Sequence, residues 1–191
     1  MARTADARVR SELERQVRLI DQALTMQASL RDRDGRLTFG YAIAIAVLST
    51  VGVAFAFATT TDTLVLFGIV ADRTTWLGWL ALAAALLGAV DLVTDRRGAA
   101  RRRGEAVALL AALKSDYREA LSGEVDAEGA TRLGNRYVDV ITRVPEIPER
   151  LFNRLKARHL LKVEVSRELS THPGIASGRA RRRVKRRARR A

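Results

Sequence analysis

The chain has 191 residues, with 34 Lys and Arg against 21 Asp and Glu, a net charge of +13 and no Cys. Without cysteine it offers no disulfide framework, no thiolate nucleophile and no Cys-ligated metal site. Only His159 and His172 remain as imidazole ligands, so a histidine-based metal cage is not expected either.

Charge and hydropathy divide the chain into four segments. Residues 39–94 carry one basic and three acidic side chains, whereas residues 173–191 carry nine basic and none acidic. We predict a cytoplasmic amphipathic helix (1–36), a transmembrane hairpin (37–95), a cytoplasmic helical region (96–172) and a disordered Arg-rich tail (173–191). The predicted fold class is an all-α membrane protein, a two-helix transmembrane hairpin with a cytoplasmic helical bundle.

The N-terminal segment has the apolar spacing of an amphipathic helix, which we expect from about Ala5 to Leu30, ending near Gly35. Its apolar positions recur every three or four residues and are Val9, Leu13, Val17, Ile20 and Leu24. The helix could lie on a bilayer, pair with a partner or pack on the C-terminal helices of the same chain. The mixed charge on its polar face favours packing, since membrane attachment prefers Lys and Arg.

Two apolar segments follow. Residues 39–61 are 23 residues without a charge, and residues 74–94 contain a single charge, Asp91. Either one, as a helix, crosses a hydrocarbon core of about 30 Å. A soluble core helix would show a polar face, and a cleaved signal peptide would follow a short basic segment, so we favour transmembrane spans.

The arginines beside the spans predict their orientation. Eight basic residues flank the outer ends of the hairpin, whereas the connection at 62–73 holds only Arg73; the eight are Arg31, Arg33, Arg36, Arg96, Arg97, Arg101, Arg102 and Arg103. By the positive-inside rule, both termini are expected in the cytoplasm of a multi-pass inner-membrane protein. The connection contains eight apolar residues, 64–71, too few to cross the bilayer. It could prolong a helix, lie at the interface or re-enter the membrane, and the first two are favoured.

Small residues recur in the spans at helical spacing, and close approach of helix backbones in lipid depends on such residues. The candidate helix-packing or pore face consists of Ala42, Ala46, Ser49, Thr50, Ala54, Ala58, Ala81, Ala85 and Gly88. This face would hold a tight hairpin that also forms a homo-oligomer; alternatively, an Ala-rich composition produces such stripes without a role in oligomers. Ser49 and Thr50 could face a water-filled pore or donate to carbonyls of their own helix. Asp91 is interpreted as an interfacial acid near the arginines rather than a functional intramembrane group.

After the hairpin, three helices are predicted. A stripe from Ala106 to Leu121 ends at Ser122-Gly123, a second from Ala130 to Ile141 ends before Pro145, and a last helix runs from about Pro148 to Leu169. Within them, His159 has Glu164 five positions away, which is not the spacing that orients a base or a metal ligand. We therefore expect no catalytic, cofactor-binding or metal site, no cofactor and no enzyme activity.

The tail is too basic to bury itself and is expected to be disordered. It could contact anionic lipid or nucleic acid through Arg181, Arg182, Arg183, Lys185, Arg186 and Arg187. Because the chain is already anchored, lipid binding or a simple reinforcement of the topology is favoured. Nucleic acid is a possible partner through the tail only, although the tail has no aromatic residue on which bases could stack.

The layout and the closing segment carry a family resemblance. This resemblance rests on the amphipathic helix, the two-span hairpin, the Tyr-containing helix at 106–121 and the sequence IPERLFNRLKARH at 147–159 with KVEVS at 162–166. In these features the chain resembles the SLATT domain, the two-transmembrane effector domain associated with SMODS and SLOG proteins. The likeness covers residues 5–173 and leaves out the Arg-rich tail. It implies an effector of prokaryotic antiviral defence that forms a pore or disrupts the membrane when activated, beside a nucleotide-signalling enzyme or a reverse transcriptase encoded nearby.

Two functions follow as hypotheses. The first is this membrane effector, with the lipid bilayer and further copies of the chain as partners. The second is a membrane-anchored scaffold that holds a partner protein or nucleic acid at the cytoplasmic membrane face. Two helices cannot enclose a channel, so the first hypothesis requires several copies.

Overall fold

The computed structural model describes residues 2–58, 63–66, 69–123 and 127–188, and these are helical apart from two short strands. The elements in chain order are α1 (Ala2–Ala58), β1 (Thr63–Leu66), β2 (Ile69–Asp72), α2 (Arg73–Thr94), α3 (Arg96–Ser122), α4 (Ala127–Arg143), α5 (Glu149–Thr171) and α6 (Ser177–Ala188). The prediction of a helical chain with two long apolar helices is confirmed.

The chain forms two compact units. The first, here the charged unit, comprises Met1–Leu30 and Arg102–Ala191; the second, here the apolar unit, comprises Arg31–Arg101.

The core of the charged unit is built by the helical stripes of the sequence. Its buried members are Leu13 and Ile20 of α1, Leu110, Leu113 and Tyr117 of α3, and Val140 of α4. The remaining apolar positions of the N-terminal stripe, Val9, Val17 and Leu24, pack against this cluster. Of the three places open to the N-terminal helix, it therefore occupies the surface of the C-terminal helices, where its apolar face is removed from water.

Tyr117 joins three helices at the centre of this core. Its side chain is fully buried, and its hydroxyl donates to Gln16 Oε1 of α1 at 2.5 Å and lies 3.2 Å from the Leu133 carbonyl of α4. Burial raises the pKa of Tyr117 to about 12, so the phenol stays protonated and keeps its role as a donor.

A second apolar cluster lies further along α1. Met26 and Leu30 pack with Leu155 of α5 and with Ile147 and Leu151 around the start of that helix. Beside it, the buried Gln27 amide donates to the Pro145 carbonyl at 2.6 Å and accepts from Arg103 of α3 at 3.2 Å. One amide thus fastens the turn before α5 to both α1 and α3.

Polar groups also meet between α1, α3 and α5. Lys114 forms an ion pair with Asp21, and Lys162 Nζ donates to Thr25 Oγ1 at 3.4 Å. Burial opposes the ionisation of Asp21, but the hydrogen bond and charge of Lys114, together with the charge of Lys162, outweigh it. The pKa of Asp21 is therefore lowered.

Three parts of the chain differ from the sequence-based expectation. The helix end expected near Gly35 is absent, because α1 continues to Ala58. A glycine in a helix interior costs about 1 kcal/mol relative to alanine, which a helix without proline tolerates. A Cβ added at Gly35 would meet nothing within 4 Å, so no close contact requires a glycine there.

The connection between the apolar helices contains a β-hairpin rather than a helical extension. β1 and β2 pair antiparallel, with Thr63 opposite Asp72 and Leu66 opposite Ile69. Val, Ile, Leu and Thr suit a strand, and two such runs separated by two residues that include a glycine are a hairpin signal that the sequence analysis missed. Phe67 and Gly68 themselves lie outside the described residues.

The third difference is the tail. Predicted to be disordered, it contains the helix α6 instead. This helix is attached to α5.

A single residue, Asp95, separates α2 from α3. It adopts a left-handed conformation, with φ 38°, where it ends α2, and its carboxylate accepts from the Gly98 backbone N–H at 3.1 Å. A carboxylate that accepts from the third residue of the next helix is a favourable N-cap. A Cβ added at Gly98 would lie 2.4 Å from that carboxylate, so a larger residue there would require the Asp95 side chain to shift.

The Asp21–Lys114 pair predicts a pH-dependent stability. Because the pKa of Asp21 is lowered on folding, its contribution is present above the unfolded-state pKa and is lost as the pH falls through the folded-state value. We expect Asp21→Asn to lower the free energy of unfolding by about 1 kcal/mol at neutral pH and by less in acid. Thermal unfolding in detergent, followed by circular dichroism across this pH range, measures the difference.

Asp139→Asn is the matched control. Asp139 pairs with Arg143 one turn away at 2.7 Å, and both side chains are more than half exposed. Its removal should change stability little at any pH. Equal effects of the two substitutions would contradict a specific role for Asp21.

Candidate functional site

The predicted site residues lie on two surfaces, one in each unit. The first is the apolar hairpin, defined as residues 39–58 of α1 together with α2. The second is α6.

The two helices of the apolar hairpin face each other through half-buried residues at helical spacing. In α1 these include Tyr41, Ala44, Ile45, Leu48, Gly52, Phe55 and Ala56, and in α2 they include Trp76, Leu77, Leu80, Ala83, Ala84, Leu87 and Gly88. We call these residues the packing face. The helices also share a cleft of about 380 Å³ whose walls include Leu48, Gly52 and Ala56 from α1 and Leu77, Leu80 and Ala84 from α2.

Polar contacts connect the helices at both ends of the hairpin. At one end, Arg73 Nη2 at the start of α2 donates to the Ala56 carbonyl at 2.9 Å. At the other, the Arg96 guanidinium lies 5.6 Å from the centroid of the Tyr41 ring, a cation–π distance. Asp91 lies beside this end, 3.7 Å from Arg97, in keeping with its interpretation as an acid next to the arginine cluster.

Most of the small-residue stripe from the sequence lies on the side of α1 away from the packing face. Ala42, Ala46, Ser49, Thr50 and Ala54 are exposed, as are Ala81 and Ala85 of α2, whereas Gly88 is half-buried. Of these, Ser49 and Ala81 line the cleft between the two helices. The side chain of Ala58 lies outside the described residues. We call the exposed α1 residues Ala42, Ala46, Thr50 and Ala54 the outward stripe. They precede Ala44, Leu48, Gly52 and Ala56 by two residues each, which is about 200° around a helix.

The hairpin is therefore held by a set of residues that the sequence analysis did not select. The series 44, 48, 52, 56 has the same spacing as the selected one, and in an Ala-rich segment nothing in the spacing distinguishes the two. The Thr50 hydroxyl donates to the Ala46 carbonyl at 2.9 Å, so it is satisfied within its own helix.

The outer surface of the hairpin is strongly apolar. Phe39, Phe57, Leu92 and Val93 are exposed by 68, 87, 82 and 83%. Among the described residues, two helices are long and apolar enough to span a membrane, and their most apolar windows are not buried at all. An exposed apolar surface of this extent marks a contact with lipid or protein.

In the charged unit, α6 packs on α5 through one buried carboxylate. Glu168 of α5 is only 5% exposed, and it receives Arg187 at 2.9 Å and Arg183 at 3.5 Å. His172 Nδ1 lies 3.6 Å away on the same side. Ala180, fully buried, and half-buried Val184 complete the contact. A tertiary ion pair thus orders a segment whose composition alone predicts disorder.

This contact divides the predicted basic residues into two groups. Arg183 and Arg187 pair with Glu168, so they are engaged within the chain. Arg181, Arg182, Lys185 and Arg186 are exposed and make no ion pair within the part of α6 that the structure describes. Arg179, which the prediction did not include, is exposed with them.

The histidines occupy ordinary structural positions. His159 is 6% exposed within the charged unit, and its Nδ1 has no hydrogen-bond partner among the described residues. In that same part of the chain, no three His, Cys, Asp or Glu side chains lie close enough together to hold a metal ion. The interpretation of His159 as a packing residue fits its burial.

Glu168→Gln tests the attachment of α6. The change keeps the size of the side chain but removes the charge that holds Arg183 and Arg187, so we expect the open population of α6 to rise by about tenfold. Limited trypsin digestion should then cut between residues 179 and 187 correspondingly faster. Glu164→Gln is the control, since Glu164 lies on the same helix but pairs with Arg167. Equal protection of wild type and Glu168→Gln would show that the carboxylate does not hold the helix.

No family model, curated protein or solved structure matches this chain. The segment that carries the resemblance to the SLATT domain, residues 147–166, forms the turn before α5 and most of that helix. The family assignment therefore remains a hypothesis that rests on the sequence likeness.

Proposed function

We propose that this protein is an integral membrane effector whose apolar hairpin spans the bilayer and assembles with hairpins of other copies into a lesion. The observation that carries the proposal is the hairpin itself: two apolar helices pack on each other by one face and leave the remaining apolar surface exposed. Lipid is the solvent in which such a surface is stable.

The outward stripe supports self-association. Within a bilayer there is no hydrophobic force between helices, so small residues that allow close backbone approach drive their association. Because this stripe lies opposite the packing face, a hairpin can use it without breaking its own helix pair. The resemblance to the SLATT domain supports the step from assembly to a lesion in prokaryotic defence, with the charged unit as the part that receives the activating partner.

The arginine distribution supports an orientation. Arg31, Arg33 and Arg36 precede the first apolar segment, and Arg96, Arg97 and Arg101 follow the second, whereas Arg73 alone lies at the connecting end. The positive-inside rule then places both termini in the cytoplasm.

This orientation is testable because the chain has no natural cysteine. We expect a single cysteine introduced at Ser177 to react with a membrane-impermeant maleimide only after the cells are opened. A cysteine at Thr63 should react in intact spheroplasts. The reverse pattern, or equal labelling of both positions, would contradict the proposed topology.

The lesion is tested with protein reconstituted into dye-loaded liposomes. A high ratio of protein to lipid favours assembly by mass action, and we expect dye release to rise steeply with that ratio. The pair Ala46→Leu and Ala54→Leu adds bulk to the outward stripe and should reduce release and chemical crosslinking at least tenfold. The pair Ala46→Ser and Ala54→Ser keeps both side chains small and serves as the matched control.

Two results would overturn the proposal. A wild-type protein that inserts but stays monomeric and leaves the liposomes sealed at every ratio has no lesion-forming activity. A Leu pair that releases dye as well as the Ser pair shows that the outward stripe is not the contact. Carbonate extraction confirms insertion separately in each case.

A further inference from the structure

The outward half of α6 is a continuous basic surface. At 100° per residue, its exposed cations lie within an arc of about 160° centred opposite the buried Ala180. These cations are Arg179, Arg181, Arg182, Lys185 and Arg186, and we call them the outer cations. No acidic residue occurs in α6 to neutralise them.

Glu168 fixes which cations face outward. By pairing with Arg183 and Arg187 it turns that side of the helix toward α5 and offsets one of their two charges. The outer cations are left without an ion pair in the described part of α6, all of them exposed. Five positive charges on one face of a short helix require an anionic partner or remain solvated.

The chemistry of this face is that of a phosphate-binding surface. Four of the five side chains are arginines, whose guanidinium groups bind phosphate oxygens bidentately. No aromatic or large apolar side chain lies among them, so the face can neither insert into a hydrocarbon layer nor stack on bases. Val184, the one larger apolar residue of α6, is half-buried on the side of α5. The contact is therefore peripheral and electrostatic.

We infer that the outer cations bind the anionic headgroups of the bilayer that holds the apolar hairpin. This inference rests on the proposed membrane insertion, because an inserted chain meets lipid phosphate at a high effective concentration. Nucleic acid offers the same phosphates, but its single strands would use base stacking that this face lacks, and it would have to bind without tethering.

The expected effects differ between the two sides of α6. Each basic residue near an anionic bilayer contributes about fivefold to binding, so loss of two outer cations should reduce the bound-to-free ratio by about 25-fold. Loss of Arg183 and Arg187 removes the same number of positive charges but should reduce the ratio less, because both face Glu168, whose single negative charge already offsets one of the two. Glu168→Gln releases both arginines and should raise the ratio.

The test uses the full chain in nanodiscs. Ser177, exposed at the start of α6, is replaced by cysteine and labelled with an environment-sensitive fluorophore; no other cysteine competes for the label. We expect the emission to shift when phosphatidylglycerol is added to phosphatidylcholine discs, and the shift to be reversed by high salt. Arg182→Gln with Arg186→Gln should abolish most of the shift, whereas Arg183→Gln with Arg187→Gln should retain more of it.

Each alternative outcome has one meaning. If phosphatidylglycerol does not shift the emission of the label, or if the two double variants lose the shift equally, the assignment of the outer cations as the lipid contact is overturned. A label that responds to duplex DNA in phosphatidylcholine discs, and not to phosphatidylglycerol, identifies nucleic acid as the partner instead. A chain that fails to co-elute with the discs contradicts the proposed insertion, so the two failures are distinguishable.

Discussion

One side of α1 between Tyr41 and Ala56 packs on α2, and the other side is an apolar surface exposed along its length. Small residues occur on both sides of α1: Gly52 and Ala56 line the cleft shared with α2, whereas Ala46, Thr50 and Ala54 are exposed. The charged side chains of the described part of the hairpin lie near its ends, where Arg73 donates to the Ala56 carbonyl and Arg96 lies against Tyr41.

The charged unit is organised differently, by buried and half-buried polar groups within apolar contacts. Tyr117, Gln27 and the Asp21–Lys114 pair each connect α1 to a second helix. A buried polar group left without its partner costs about 1–3 kcal/mol. Such groups therefore select one arrangement among the many that leucine and valine side chains alone would accept.

Periodicity predicted the parts of this fold that depend on local sequence. The stripes from Val9 to Leu24 and from Ala106 to Leu121 identified the core, and Ser122 and Pro145 indicated helix ends correctly, because these signals are read within one or two turns.

The order in α6 was not predictable in this way. It depends on Glu168, a carboxylate whose burial follows from tertiary packing and not from the composition of the tail. The β-hairpin was missed because strands of four residues are too short for an alternating pattern to stand out. Within the apolar hairpin, the sequence contains two stripes of equal spacing. Only the position of α2 in the structure distinguishes the packing face from the outward stripe.

The hydrogen bonds of Gln27 oppose sliding of α1 along its own axis. The oxygen of the Gln27 amide accepts a hydrogen bond from Arg103, and the nitrogen donates one to the Pro145 carbonyl. The two bonds therefore fix the orientation of the side chain. A slip of α1 by one turn along its axis would carry this amide about 5.4 Å away from both partners and leave it unpaired in the interior. Piston-like sliding of α1 within the charged unit is thereby penalised. A motion that carries α1, α3 and the turn at Pro145 together leaves both hydrogen bonds of the amide in place.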